Sequence, residues 1–289
     1  MKLSKIALAT AATLLSGAAF ADFVPLPVGV GILEDDNIEY VLDAQGNFKT
    51  SGTLAVGDRL RAVVKFSNVL NPDNSVFTAL GAPGLELTGI SEIEVKSINA
   101  VTGLYTFGTS AAFTSVYGAG AMAAMFAQTT GDFFTSCNGT SIAACETAAT
   151  NGTKWAVAGL SDADDFWVAS SAIAGVPLNT IDVSTLSGSA ATTKVAVANF
   201  ALSILYNGTG YEFNEQTSAL SPFYTVGGDG KTDVIGSGDI LGGQGLANNY
   251  VARSDFDFQV SRVPEPTSMS LIGLGLLGLG ALSRKRKAS

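Results

Sequence analysis

From Arg59 to Ser67 the chain alternates. Leu60, Ala62, Val64 and Phe66 fall on one parity, and Arg59, Arg61, Lys65 and Ser67 on the other, with Val63 the apolar exception. A period of two puts each set on its own face of a pleated strand, whereas a helix would scatter both around its circumference. Ile93 and Val95 repeat the pattern against Glu92, Glu94 and Lys96, and Phe256, Phe258 and Val260 repeat it against Asp255, Asp257, Gln259 and Ser261. Residues 194–206, with Val195, Val197 and Phe200, read as a longer and more apolar strand. The run Asn207-Gly208-Thr209-Gly210 then turns the chain into Tyr211-Glu212-Phe213. Shorter strands are expected around Val41, Leu54, Leu104 and Trp155. Residues 111–128 fit neither period, and Gly118 and Gly120 interrupt them. They read as a strand pair, the alternative being a short helix over 121–127. Many short strands separated by Gly, Asn, Asp and Thr predict an all-β body, an antiparallel β-sandwich or jelly-roll-like fold.

Composition narrows the chemistry. The chain contains no histidine. Ser-His-Asp and Cys-His catalysis and His-ligated metal sites are therefore excluded. Between residues 22 and 263 there are ten Lys and Arg against twenty-four Asp and Glu, a net charge of −14. Such a surface repels nucleic acid and anionic lipid, and repels acidic polysaccharide unless divalent cations bridge the two. No P-loop, dinucleotide fingerprint or nucleophile elbow is present. Cys137 and Cys145 are the two cysteines, with seven residues between them. In an oxidising compartment they are expected to form one local disulfide worth about 2–3 kcal/mol by chain entropy. The small, polar stretch between them suits a surface loop.

Three acidic groups are candidate sites. Asp162, Asp164 and Asp165 stand just before Phe166-Trp167. Together with Trp167 they would hold Ca²⁺ through carboxylate oxygens or a sugar by stacking on the indole; the alternative is a solvated acidic turn leading into a strand. Gly228-Asp229-Gly230-Lys231-Thr232-Asp233 resembles a calcium loop, with Asp229 and Asp233 as ligands. It departs from the template at Lys231 and lacks the bidentate Glu, so a Gly-rich hairpin accounts for it as well. Glu34, Asp35, Asp36 and Glu39 read as a solvated charge run; as paired carboxylates they would suit a glycosidase only within a cleft. No resident cofactor is expected, calcium being the exception to test.

The two ends of the chain carry addresses. Lys2 and Lys5, an apolar core over residues 6–15, and Ala19-Phe20-Ala21 make a secretory signal peptide with cleavage after Ala21. At the other end come Pro264-Glu265-Pro266, a Gly/Leu-rich run over 269–282, and Arg284-Lys285-Arg286-Lys287. The two prolines hold their neighbours extended and open to a processing enzyme. The run has fourteen residues. As a helix it would reach about 21 Å, against a bilayer core of about 30 Å. Gly273, Gly275, Gly278 and Gly280 weaken it further. It therefore suits transient membrane entry better than a lasting anchor, and the basic cluster after it stays on the cytoplasmic side.

These three parts in order resemble the PEP-CTERM sorting signal of exported proteins of Gram-negative bacteria. The resemblance is confined to the tail. It implies processing by a membrane-embedded exosortase after signal peptidase has acted, transient residence in the inner membrane, and a link to exopolysaccharide, biofilm and floc. The expected organisation is a signal peptide over 1–21, an exported β domain over 22–262, and a sorting signal with its hydrophobic helix over 263–289. The destination is the cell surface, outer membrane or extracellular matrix. The expected role is structural or interactive and not enzymatic, with no nucleic-acid partner. A calcium- or glycan-binding surface module is the alternative, and a carboxylate-based glycosidase the second.

Overall fold

The structure is a computed structural model. It describes residues 24–263 except 82–83, 130, 132, 134–136, 138–140, 187–193, 226 and 243–251. The signal peptide and the sorting segment from Pro264 onward, with its expected helix, lie outside the described residues. Among the described residues no helix is long and apolar enough to cross a membrane.

The strands are β1 (Gly29–Leu42), β2 (Arg59–Leu70), β3 (Val76–Ala79), β4 (Glu86–Ile98), β5 (Tyr105–Thr109), β6 (Ala121–Gln128), β7 (Thr153–Gly159), β8 (Phe166–Ser171), β9 (Ala196–Asn207), β10 (Gln216–Thr217), β11 (Lys231–Thr232), β12 (Val234–Ile240) and β13 (Ala252–Arg262). Among the described residues, short helices α1 (Ala111–Tyr117), α2 (Ile142–Thr150) and α3 (Ser221–Tyr224) accompany them. The pairings β1–β2, β2–β4, β4–β6, β6–β7, β7–β9, β9–β12, β12–β13 and β13–β1 are all antiparallel and return to their starting point. The all-β, antiparallel reading therefore holds, but the strands close into an eight-stranded barrel instead of separating into the two sheets of a sandwich. Closure leaves no unpaired strand edge in the ring.

One sector of the wall is forked. β4 pairs with β6 through Glu86–Ser91 and with β5 through Ile93–Ile98. β9 pairs with β8 through Ala196–Ser171 partners and with β7 from Ser203 onward. Two strand pairs, β6–β7 and β5–β8, thus lie end to end between β4 and β9.

The alternation read from sequence sets which residues fill the barrel. Leu60, Ala62, Val64 and Phe66 of β2 point inward with Phe256, Phe258 and Val260 of β13. Phe66, Trp167, Phe200, Phe256 and Phe258 form one aromatic cluster, with Trp167 and Phe200 stacked at 4.5 Å. Gly236 makes room for it: a Cβ there would sit 1.9 Å from Cζ of Phe200.

Residues 111–128 are a helix followed by a strand, neither the expected strand pair nor a helix over 121–127. Ser110 caps α1, its Oγ accepting the Phe113 N–H at 3.0 Å. Gly118 and Gly120, both at positive φ, return the chain into β6. β6 is buried along its whole length. Met122 and Met125 face the barrel interior, while Ala124 and Phe126 face outward beneath Phe113. A strand covered on both faces shows no polar alternation, which hid the period.

α2 packs on the outside of β2 and β4. Ser141 caps it and the Cys137–Cys145 disulfide ties its first turns to the preceding segment. Part of the stretch expected as a surface loop between the cysteines is therefore helix. Under α1 and α2, fully buried Glu92 accepts hydrogen bonds from Arg59 at 3.1 Å, Arg61 at 3.0 Å and the Ser110 hydroxyl.

Candidate functional site

The structure brings two of the sequence-predicted acidic groups together. The turn of Asp162, Asp164 and Asp165 joins β7 to β8, and the loop of Asp229 lies just before β11. Oδ2 of Asp164 accepts the backbone N–H groups of Asp229 and Lys231, each at 3.0 Å. Gly228, at φ 74°, allows this approach, because a Cβ there would lie 2.5 Å from the Asp164 carboxyl carbon. Oδ2 of Asp165 accepts from the Ser161 N–H at 2.6 Å, the Asp162 N–H at 3.2 Å and the Ser203 hydroxyl at 2.9 Å. Asp233 accepts the Ile204 N–H at 2.8 Å. These carboxylates satisfy backbone donors and clasp the two loops to each other and to β9. A hydrogen bond shared between Asp162 and Asp164 raises the Asp162 carboxyl to about 6 and holds Asp164 low, at about 2. Among the described residues no group of three or more Asp, Glu or Cys side chains is arranged to hold a metal ion.

Trp167 is not beside these acids on the surface. The period of two that puts Phe166 and Val168 outward turns Trp167 into the barrel, where it is 3% exposed. Phe200 is stacked on its ring and Phe256 meets it in a T-shaped contact, so the buried indole offers nothing to a sugar.

The acids near the N-terminal end are not a solvated run. In β1, Glu34 and Asp36 face outward, while Asp35, Asn37 and Glu39 face inward with Leu33 and Val41. Asp35 is 1% exposed and Glu39 is 3% exposed. Asp35 accepts the Phe256 N–H at 2.5 Å, and Glu39 accepts the Leu241 N–H at 2.8 Å and the Ser254 hydroxyl at 2.6 Å. They border an enclosed cavity of about 10 Å³, lined also by Asn37, Ser91, Trp167 and Ser254 and by no cationic side chain. That is close to the smallest volume that holds one water. Oδ1 of Asn37 and Nε1 of Trp167 have no partner there. Burial pushes the Glu39 carboxyl up to about 7 and the Asp35 carboxyl well above its ordinary value.

A second, open site lies on the outside of the barrel, where residues 218–220 stand over β9, β12, β13 and β1. Leu220 anchors that segment by packing on Phe166, Val168 and Ala201. The resulting cleft has a volume of about 350 Å³. Ile32 and Ile235 contribute an apolar floor, and Asn199, Ser237, Asp257 and Gln259 contribute polar groups. Sheet register makes this polarity orderly. Asn199 pairs with Ser237, Ser237 with Asp257, and Asp257 with Glu34, giving a row across four adjacent strands. One step along the strands, Asp239 pairs with Asp255. Burial and then the carboxylates of Asp257, Asp36, Asp239 and Glu34 raise Asp255 to about 6. Burial and then Glu34 raise Asp257.

β13 runs from this cleft to Arg262, and Val263 N–H bonds to the Glu212 carbonyl at 2.8 Å. There the described residues end and the tail begins. A family model for the PEP-CTERM protein-sorting motif matches residues 262–287. The chain carries a PEP-CTERM sorting motif. The motif marks an exported protein sorted to the cell surface through an exosortase-type enzyme. No curated protein and no solved structure matches this chain. The PEP-CTERM match overlaps the last residue of β13, so the sorting signal follows the barrel without a spacer.

Proposed function

We propose that the chain is a non-enzymatic surface or matrix protein whose barrel is the cargo and whose tail is the address. Signal peptidase cleaves after Ala21, the apolar run enters the inner membrane transiently, and the exosortase processes the tail at the Pro264-Glu265-Pro266 segment. The barrel is then left at the surface of a Gram-negative cell or in its exopolysaccharide, with a structural or interactive role in biofilm or floc. The observation that carries this reading is the PEP-CTERM motif immediately after the last barrel strand. Three features of the body agree with it. A closed barrel presents no free strand edge in its ring, a disulfide ties α2, and the net negative charge favours solubility outside the cell.

Deleting residues 264–289 tests the proposal. In a host that has the exosortase, the full chain is expected in the surface fraction and the truncated chain in the periplasm or medium. Equal surface fractionation of both would overturn it.

A further inference from the structure

The outer-face cleft has side chains whose hydrogen-bonding capacity the fold does not use. Among the described residues, Asn199, Ser237 and Asp257 make no side-chain hydrogen bond, although all three line the cleft. Register aligns them at the interstrand spacing of about 4.8 Å, so they offer in sequence an amide, a hydroxyl and a carboxylate. Acceptors and donors in such a row match the successive hydroxyls of a sugar ring. Ile32 and Ile235 in the next row along the strands, and Leu220 at the side, match its C–H faces. The volume of about 350 Å³ falls at the lower end of the range of about 300–1,000 Å³ for small-ligand sites.

Charge selects among sugars. No Lys or Arg lines the cleft. Glu34 is the cross-strand neighbour of Asp257, and Asp255 lies two residues along the same strand. Lys194 is engaged by Asp239 at 2.7 Å, and Lys65 stands opposite Asp36 on the neighbouring strands. Within the cleft lining an acidic sugar would meet the Asp257 carboxylate and no cation, whereas an ammonium group would gain charge-assisted hydrogen bonds to Asp257. We infer that this cleft binds an amine-bearing saccharide, with Asp257 receiving the ammonium group and Ser237 and Asn199 the neighbouring hydroxyls. The inference deepens the surface-protein reading and rests on it only for the setting in which such a polymer is met.

Titration calorimetry of the full chain in mild detergent tests it, with a glucosamine tetramer, its fully N-acetylated counterpart and a uronic acid tetramer as probes. The glucosamine tetramer is expected to bind, the N-acetylated one at least tenfold more weakly, and the uronic acid not at all. Asp257→Asn should lower glucosamine affinity at least tenfold with an unchanged or higher melting temperature, because it removes a like-charge contact and no hydrogen bond. Ser237→Ala and Asn199→Ala should each lower it several-fold. No glucosamine binding, binding unaffected by Asp257→Asn, or equal binding of the three probes would overturn the inference. Surface fractionation of Asp257→Asn keeps the two readings apart: a variant that reaches the surface but binds no glucosamine leaves the sorting proposal intact.

Discussion

Glu39 holds Leu241 in a left-handed backbone conformation across the end of the barrel. The Leu241 N–H donates to Oε2 of Glu39 at 2.8 Å, and Leu241 has φ 58°, which is uncommon for a residue with a side chain. The same oxygen accepts from Ser254. The carboxyl thus fixes the turn that leaves β12 and ties β1 to β13, but it does so beside a cavity that Asp35, further along β1, also lines and that no cation lines.

That placement sets a pH dependence. The folded Glu39 carboxyl titrates at about 7 against an ordinary 4.5, so between these values the folded chain binds the extra proton. Its contribution is fully present below about 4.5 and is lost as pH rises through about 7. At about 1.4 kcal/mol per tenfold change in ionisation, the loss is about 3 kcal/mol. Asp35 shifts in the same direction and adds to it. Urea melts should show stability falling between pH 5 and 8. Glu39→Gln retains an acceptor for Leu241 and Ser254 and cannot ionise, so it should flatten much of that fall. A wild-type profile that rises over this interval would contradict the burial argument.

The loop clasp at Asp164 is the next target. Asp164→Ala removes the acceptor of the Asp229 N–H and one of the two acceptors of the Lys231 N–H, and should lower the melting temperature. Limited proteolysis should then cut first near Gly228 and Gly230. Asp164→Asn keeps one acceptor oxygen and should lose less. Equal melting temperatures for the wild type and the alanine variant would show that the clasp contributes nothing.

The period of two in β2 and β13 was legible from sequence because each strand has one wet and one dry face. Closure was not, since it depends on which strands pair: β1 meets β13 across more than 200 residues of chain. β6 escaped because both its faces are covered. The alternation that places Phe66 inward also divides Glu34 from Asp35, but a run of adjacent acids reads in sequence as one solvated patch. Asp35, Asn37 and Glu39, spaced by two, were the signal for an interior polar row. The outer cleft had no local signal. Asn199, Ser237 and Asp257 become neighbours only through the register of β9, β12 and β13.

Glu92 offers a sharper test of the outer network than any surface pair. Its carboxylate is fully buried, and it joins Arg59 and Arg61 of β2 to Ser110, the cap of α1. Removing one partner of a fully buried pair typically costs about 3–5 kcal/mol. In Glu92→Ala, Arg61 keeps Glu146 at 2.7 Å and both arginines reach solvent in part, so the loss of stability should fall below that range, with α1 and its capping serine unsettled. Glu92→Gln keeps the size and one acceptor and should cost less. Hydrogen exchange at Phe113 and Thr114 reports on the cap directly, because the Phe113 N–H bonds to Ser110 Oγ and the Thr114 N–H to the Ser110 carbonyl. Unchanged exchange there in Glu92→Ala would show that the cap stands without the carboxylate.

Gly236→Ala tests the packing of the barrel interior. The added methyl would meet the Phe200 ring at 1.9 Å, and that ring is held by Trp167, Phe256 and Phe258. It has little room to turn aside, so the overpacking should cost about 1–3 kcal/mol. Near-ultraviolet circular dichroism and tryptophan emission should change with it, because Trp167 stacks on the displaced ring. Phe200→Leu in the same chain removes the clash and should restore part of the stability lost to Gly236→Ala, which distinguishes overpacking from a backbone effect at the glycine. A double variant no more stable than Gly236→Ala alone would instead place the cost in the backbone of β12.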